Sequence, residues 1–126
     1  MTTDDELLAA AWRARGNARL YGKTQVGAAA IDNFGKVHLG CNIEHRFRSH
    51  DIHAEVTCLS TLVASGGTRA VAIAIVAERE RFTPCGACLD WVIEIGGLEC
   101  RVVVQSVVGG PVREWTAAEL APFYPM

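Results

Sequence analysis

A three-layer α/β/α sandwich with a mixed sheet, an α/β fold, is predicted for this 126-residue chain by three features of its sequence. Segments with helical spacing alternate with short apolar or β-branched runs, the arrangement that lays helices over both faces of a sheet. Glycine pairs and turn residues separate these segments, with no linker, internal repeat or low-complexity tract between them. Half of the residues are hydrophobic and 21% are charged, the balance of a globular chain of one domain, residues 1–126.

The elements follow in order. Residues 4–20 are charged and rich in Ala and Leu, with Leu7, Leu8, Ala11 and Trp12 at helical spacing, and Gly16 and Asn17 weaken the end of this helix. Residues 26–31 form a short apolar strand. Asp32-Asn33-Phe34-Gly35 reads as a turn and residues 36–41 as the returning strand of a hairpin. Residues 42–52 are polar, basic and irregular, a loop crowded with functional side-chain types. A helix is expected over about 53–65, stopped by Gly66-Gly67. Residues 70–77 are apolar throughout, as a buried central strand requires. Thr83-Pro84 opens a helix to about residue 95 with Pro in its first turn, and Gly96-Gly97 ends it. Residues 100–108 form a β-branched strand, and Thr116-Ala117-Ala118-Glu119 is a capping box for a short last helix.

Composition narrows the function. A formal net charge of −2 argues against a protein whose task is to neutralise many phosphates. The N-terminus is acidic and lacks the basic start and apolar run of a secretory signal. The longest apolar run, residues 70–77, is too short to span a bilayer, so a soluble cytoplasmic protein is the expectation. Five cysteines, Cys41, Cys58, Cys85, Cys88 and Cys100, make an odd number and a poor disulfide framework.

Two fragments carry chemistry: His53-Ala54-Glu55 and Pro84-Cys85-Gly86-Ala87-Cys88. Together they match the H-x-E and P-C-x-x-C signature of zinc-dependent nucleobase deaminases. Zinc takes nitrogen and thiolate donors in tetrahedral geometry. Cys85 and Cys88, three apart at a helix start, can face one point, and His53 opens another helix. Two helix N-termini would converge there, and their partial positive charge favours thiolates. Three protein ligands leave a fourth position for water, whose pKa zinc lowers from about 16 to roughly 7. Glu55, two residues past His53, points elsewhere on a regular helix. It is therefore expected to move protons as general base and acid rather than to ligate. Three plainer readings stand beside this one. The Cys-x-x-Cys pair fits a redox couple. A structural zinc fits if Cys58 or His50 closes the fourth position. His53 alone would be an ordinary buried histidine, though that leaves Glu55 and the Pro-Cys motif unexplained. Cys41, Cys58 and Cys100 fall in expected strands or a helix and read as core.

Over nearly its whole length the chain resembles the small cytidine deaminase family. Val26-Gly27-Ala28-Ala29 looks like that family's first strand, and Gly40-Cys41-Asn42-Ile43-Glu44 is similar to its Gly-x-Asn-(Ile/Val)-Glu segment. The Cys-Gly-Ala-Cys core is shared. The resemblance implies a five-stranded mixed sheet, one Zn2+, and ribose binding by Asn42 and Glu44. Leu120-Ala121-Pro122-Phe123 resembles a Leu-Leu-Pro-x-x-Phe tail, which implies that Phe123 or Tyr124 reaches a neighbouring subunit's site in a homotetramer, or in a dimer.

The departures bear on substrate. Small tetrameric members usually carry Cys where this chain has His53, and Arg where it has Val56. Three thiolates leave a zinc site at net −1, which an Arg offsets, whereas one His and two thiolates leave it neutral. Thr24-Gln25 stands where the family has Phe-Pro, and His45-Arg46-Phe47-Arg48-Ser49 replaces Asn-Ala-(Ser/Cys)-Tyr-Pro. Arg46 and Arg48 either reshape the pocket or belong to a solvated loop.

The expected function is hydrolytic, zinc-dependent removal of an exocyclic amine from cytidine or a related aminopyrimidine nucleoside, with release of ammonia. The alternatives are a free aminated nucleobase, a triazine-like ring or a blasticidin-type nucleoside antibiotic as substrate. A polynucleotide deaminase using Arg13, Arg15, Arg19, Arg46 and Arg48 is opposed by the acidic balance, and a non-catalytic zinc-stabilised binding module is the third class. No nucleic-acid or membrane partner is expected.

Overall fold

The computed structural model describes residues 2–125, so the two ends of the expected 1–126 domain, Met1 and Met126, lie outside the described residues. Helix α1 spans Asp4–Arg15. Strands β1 (Val26–Asp32) and β2 (Val37–Cys41) form the hairpin. A single 3-10 turn, Arg48–His50, interrupts the following loop. Helix α2 (Ala54–Ala64), strand β3 (Ala70–Ala77), helix α3 (Gly86–Gly96) and strands β4 (Arg101–Gln105) and β5 (Val112–Thr116) complete the sandwich, and the short helix α4 (Ala117–Leu120) closes it.

The five strands lie in the order β2-β1-β3-β4-β5. The β1–β2, β1–β3 and β4–β5 pairs are antiparallel and β3–β4 is parallel, which makes the sheet mixed. A parallel pair needs a crossover, and α3 supplies it between β3 and β4. Alternate residues of the inner strands face opposite layers. Ala29, Ala72, Ala74, Val76 and Val103 pack under α1, whereas Ala28, Ala30, Ile73, Ile75, Val102 and Val104 pack under α2 and α3. With both faces covered, β3 is buried at every position but Val71.

Two glycines set how closely the layers approach. A Cβ on Gly27 would sit 2.0 Å from the Ala11 carbonyl oxygen of α1. On Gly40 it would meet the Cys58 nitrogen of α2 at 2.3 Å. The small strand residues thus let helix backbone rest directly on the sheet.

Helix α1 begins with a capping box, Thr3 with Glu6, and carries Asp4, Asp5 and Glu6 in its first turn and Arg13 and Arg15 in its last. It ends at Arg15, short of the expected 20, because Gly16 stops it and residues 17–25 are drawn to the loop beyond β2. Helix α3 starts at Gly86 rather than at Thr83-Pro84. Pro84 precedes the helix, and Cys85 is its extended N-cap residue. The run 100–108 is shorter than expected as well: β4 ends at Gln105, and Val107 and Val108 lie exposed in a turn. Strand β5 follows, half-buried along an edge, where Arg113 and Glu114 obscure its apolar alternation. The Thr116–Glu119 capping box forms as expected. Among the described residues no helix is long and apolar enough to cross a membrane.

Candidate metal centre and substrate pocket

The N-termini of α2 and α3 meet beside the ends of β1 and β3, and a pocket of about 310 Å³ opens there. His53 is the N-cap residue of α2 and Cys85 that of α3. Both have extended backbones, and neither side chain caps its helix. N-cap side chains of the Ser, Thr or Asp type fold back onto their own helix. The imidazole and thiol here instead project toward each other. Cys88, one turn into α3, completes the group. His53 Nδ1 lies 3.2 Å from Cys88 Sγ and 3.4 Å from Cys85 Sγ, and the donor atoms of all three lie within 4.8 Å of one another.

Those separations fit zinc. With Zn–S near 2.3 Å and Zn–N near 2.0 Å, neighbouring donors of a tetrahedral ion stand roughly 3.5 Å apart. The donor set, one nitrogen and two sulfurs, is the kind zinc selects. Among the described residues this is the one group of three or more His, Cys, Asp or Glu side chains placed to share an ion. The candidates for a fourth protein ligand lie elsewhere. The Cys58 thiol is buried and donates to the His38 carbonyl, and burial pushes its pKa up to about 12. His50 packs against the rings of His45 and Phe47 in the 45–50 segment.

Glu55 occupies the first turn of α2 and is 5% exposed. Burial pushes its carboxyl pKa up, while its own backbone N–H, the neighbouring His53 and Cys88 pull it down. A carboxyl with a raised pKa, set beside the donor cluster, is placed to take and return a proton. Cys88 is likewise raised, by burial first and by the adjacent Glu55 second. Val56, the next residue, turns away to line an apolar groove with Leu59, Val63 and Trp91.

Asn42 and Glu44 line the pocket, and both are already engaged in holding the 19–26 segment. Asn42 Oδ1 accepts from Val26 N–H at 2.8 Å, and its Nδ2 donates to the Thr24 carbonyl at 2.8 Å. Glu44 Oε1 accepts from the N–H groups of Tyr21 and Gly22, each at 2.6 Å, and these two bonds hold its carboxyl below the usual range. Each residue keeps part of its hydrogen-bonding capacity free for a ligand. Phe123 does not line this pocket: it stands 96% exposed on the tail, while the neighbouring Tyr124 hydroxyl donates to Asp90.

Three pocket residues escape motif reading. Phe82, 9% exposed, supplies an aromatic surface where Thr24 offers none. Arg79 and Asp51 add charge. The loop bearing Phe82 turns at Arg81, which holds a left-handed φ of 48°, a conformation that costs a side-chain-bearing residue about 1 kcal/mol or more. The only sequence signal for Phe82 is its place two residues ahead of Pro84. Arg46 is exposed, whereas Arg48 lines the pocket in an ion-paired cluster.

Known proteins match this arrangement. Residues 1–105 match the family model for the cytidine and deoxycytidylate deaminase zinc-binding region. A cytidine deaminase of Sporosarcina psychrophila is 34% identical over 120 residues, covering 94% of this chain and 88% of that protein. The crystal structure of cytidine deaminase from Burkholderia pseudomallei superposes with a TM-score of 0.87 at 37% identity, covering 94% of this chain and 96% of that one. That of Mycobacterium tuberculosis superposes at 0.82 with 31% identity and covers 97% of each.

Proposed function

This chain belongs to the cytidine and deoxycytidylate deaminase family, and from that premise we propose that it hydrolyses the exocyclic amine of cytidine or a related aminopyrimidine nucleoside. It is a zinc-dependent hydrolytic deaminase. The observation that carries the reading is the convergence of His53, Cys85 and Cys88 beside a pocket that His53, Cys85 and a buried Glu55 line.

In this reading His53, Cys85 and Cys88 hold the ion, and the two helix N-termini offset the charge of the thiolates. Zinc, when bound, supplies the Lewis acidity that makes water nucleophilic near neutral pH. Glu55 accepts a proton from the attacking water and passes it to the ring nitrogen next to the reacting carbon. A second proton, returned through Glu55 to the exocyclic nitrogen, lets ammonia leave and the carbonyl form. Water and the amidine are consumed, and one carbonyl and one ammonia are produced. Asn42 and Glu44 orient the sugar with their remaining donor and acceptor, and Phe82 offers its ring to the base.

The same reading extends to assembly and place. Phe123 on its exposed tail, together with the α2–α3 groove of about 390 Å³ that bears Val63 and Trp91, supports a homotetramer in which the tail reaches a neighbouring site. The five cysteines are all free, which agrees with the reducing cytoplasm.

Glu55→Ala tests the chemistry. Cytidine turnover is expected to fall by about 100-fold to 10,000-fold while bound zinc stays at the wild-type level. A variant that keeps full turnover removes Glu55 from the mechanism. Release of ammonia from a free base, with cytidine inert, removes the nucleoside from the reading.

A further inference from the structure

Arg48 lies in the segment where the chain departs most from its family, and the structure gives it an unusual set of partners. Its Nε donates to Asp51 Oδ2 at 2.8 Å, and its Nη2 donates to Glu44 Oε2 at 2.9 Å. Asp51 in turn accepts from the His45 N–H at 2.8 Å, so the guanidinium is fixed from two sides. All three side chains line the pocket.

The remaining hydrogen-bonding capacity decides what this cluster can bind. Oε1 of Glu44 is filled by two backbone N–H groups and Oε2 by one Arg48 bond, which leaves a single acceptor position on Oε2. Arg48 keeps both hydrogens of Nη1 and one of Nη2. Glu44 is almost fully buried, with a side-chain exposure of 9%, whereas Arg48 is half exposed at 52%. The acceptor therefore sits at the base of the pocket wall and the donors at its rim. A neighbouring donor and acceptor are matched by a group that is both acceptor and donor, which is a hydroxyl. A phosphate brings acceptors only, and would face the carboxylates of Glu44 and Asp51 at close range.

We propose that Arg48 is a specificity-determining residue that, paired with Glu44, reads a 2′- or 3′-hydroxyl on the sugar of the substrate. The inference rests on the nucleoside deaminase reading and adds the residue that selects a hydroxylated, uncharged tail. Arg48 takes no part in the chemical step. Its loss acts on substrates that carry the hydroxyl and spares those that lack it.

The test compares the zinc-loaded wild type with Arg48→Ala on cytidine and on 2′,3′-dideoxycytidine. On cytidine, kcat/KM is expected to fall about 10- to 100-fold, mostly through KM, the range for a lost hydrogen bond to a charged group. On the dideoxy substrate it is expected to change less than about threefold. Arg48→Lys keeps the charge but cannot hold both carboxylates, and should fall between the two. If Arg48→Ala does not fold, Arg48→Gln carries the same comparison. An equal loss on both substrates reduces Arg48 to a brace for the loop and overturns the proposal, as does an unchanged kcat/KM on cytidine. A wild type that deaminates neither nucleoside overturns the functional reading itself, an outcome separate from either of these.

Discussion

Replacing Gly40 by alanine tests how the sheet positions the catalytic helix. The new Cβ would lie 2.3 Å from the Cys58 nitrogen, 2.5 Å from Thr57 Oγ1 and 2.6 Å from the Ala54 carbonyl oxygen. Ordinary contact begins near 3.4 Å, so α2 and β2 must separate by about 1 Å. Two of the three atoms belong to the helix backbone, which no rotamer change can move aside. Because β2 is an edge strand paired only with β1, it can yield outward, which limits the cost to roughly 2–3 kcal/mol. For a domain of this size that is a fall in Tm of about 5–15 °C. The first turn of α2 carries Glu55, and His53 is the residue just before it, so the same shift misplaces two parts of the site. A misplacement of about 1 Å is expected to lower kcat about 100-fold. Differential scanning fluorimetry, zinc stoichiometry and ammonia release read the three effects. Gly86→Ala is the control for stability: its Cβ meets nothing within 4 Å, and its melting should not fall. A Gly40→Ala protein that melts within about 2 °C of wild type and turns over normally would refute the close-approach argument.

Two further predictions concern the metal and pH. Chelation should abolish turnover and lower Tm, since an ion at 100 times its Kd adds about 2.7 kcal/mol to folding. Cys88→Ala should melt at one temperature with or without added zinc, and a zinc-dependent shift in that variant would place the ion elsewhere. At the far end of the sheet the buried Asp32 accepts from His38 Nε2 at 2.8 Å and from the N–H groups of Phe34 and Lys36. The His38 bond first, then the backbone bonds, hold its carboxyl below the usual range. The unfolded chain then binds the proton first as pH drops. The contribution of Asp32 is complete above its unfolded value of about 3.9 and is lost as pH falls through the lower folded value. Asp32→Asn should be less stable near neutrality and should show a shallower loss in urea melts taken between about pH 5 and pH 3. An acid limb of unchanged steepness would show that other groups carry it.

The local patterns were legible because their physics is local. The apolar run of β3, the glycine stops after α2 and α3 and the Thr116–Glu119 capping box depend on residues a few positions apart, and they appear where the sequence places them. The two chemical motifs were legible for the same reason: each is a short fragment whose spacing fixes which way its donors face. The start of α3 was misread. Proline suits a first helical turn, but here an extended Cys85 takes the N-cap position and projects its thiol toward His53. Strand β5 was hidden because it is half-buried at an edge and its charged residues break the alternation.

Long-range pairing made the remaining decisions. His53 and Cys88 are 35 positions apart, and they meet only because β3 sets α2 beside α3. Motif alone could name Glu44, but it could not say that the N–H groups of Tyr21 and Gly22 occupy one of its oxygens or that Arg48 bridges it to Asp51. Sequence spacing settles which face or turn a side chain leaves from. Which group it meets depends on how separate elements pack, because that is where the distances between them are set.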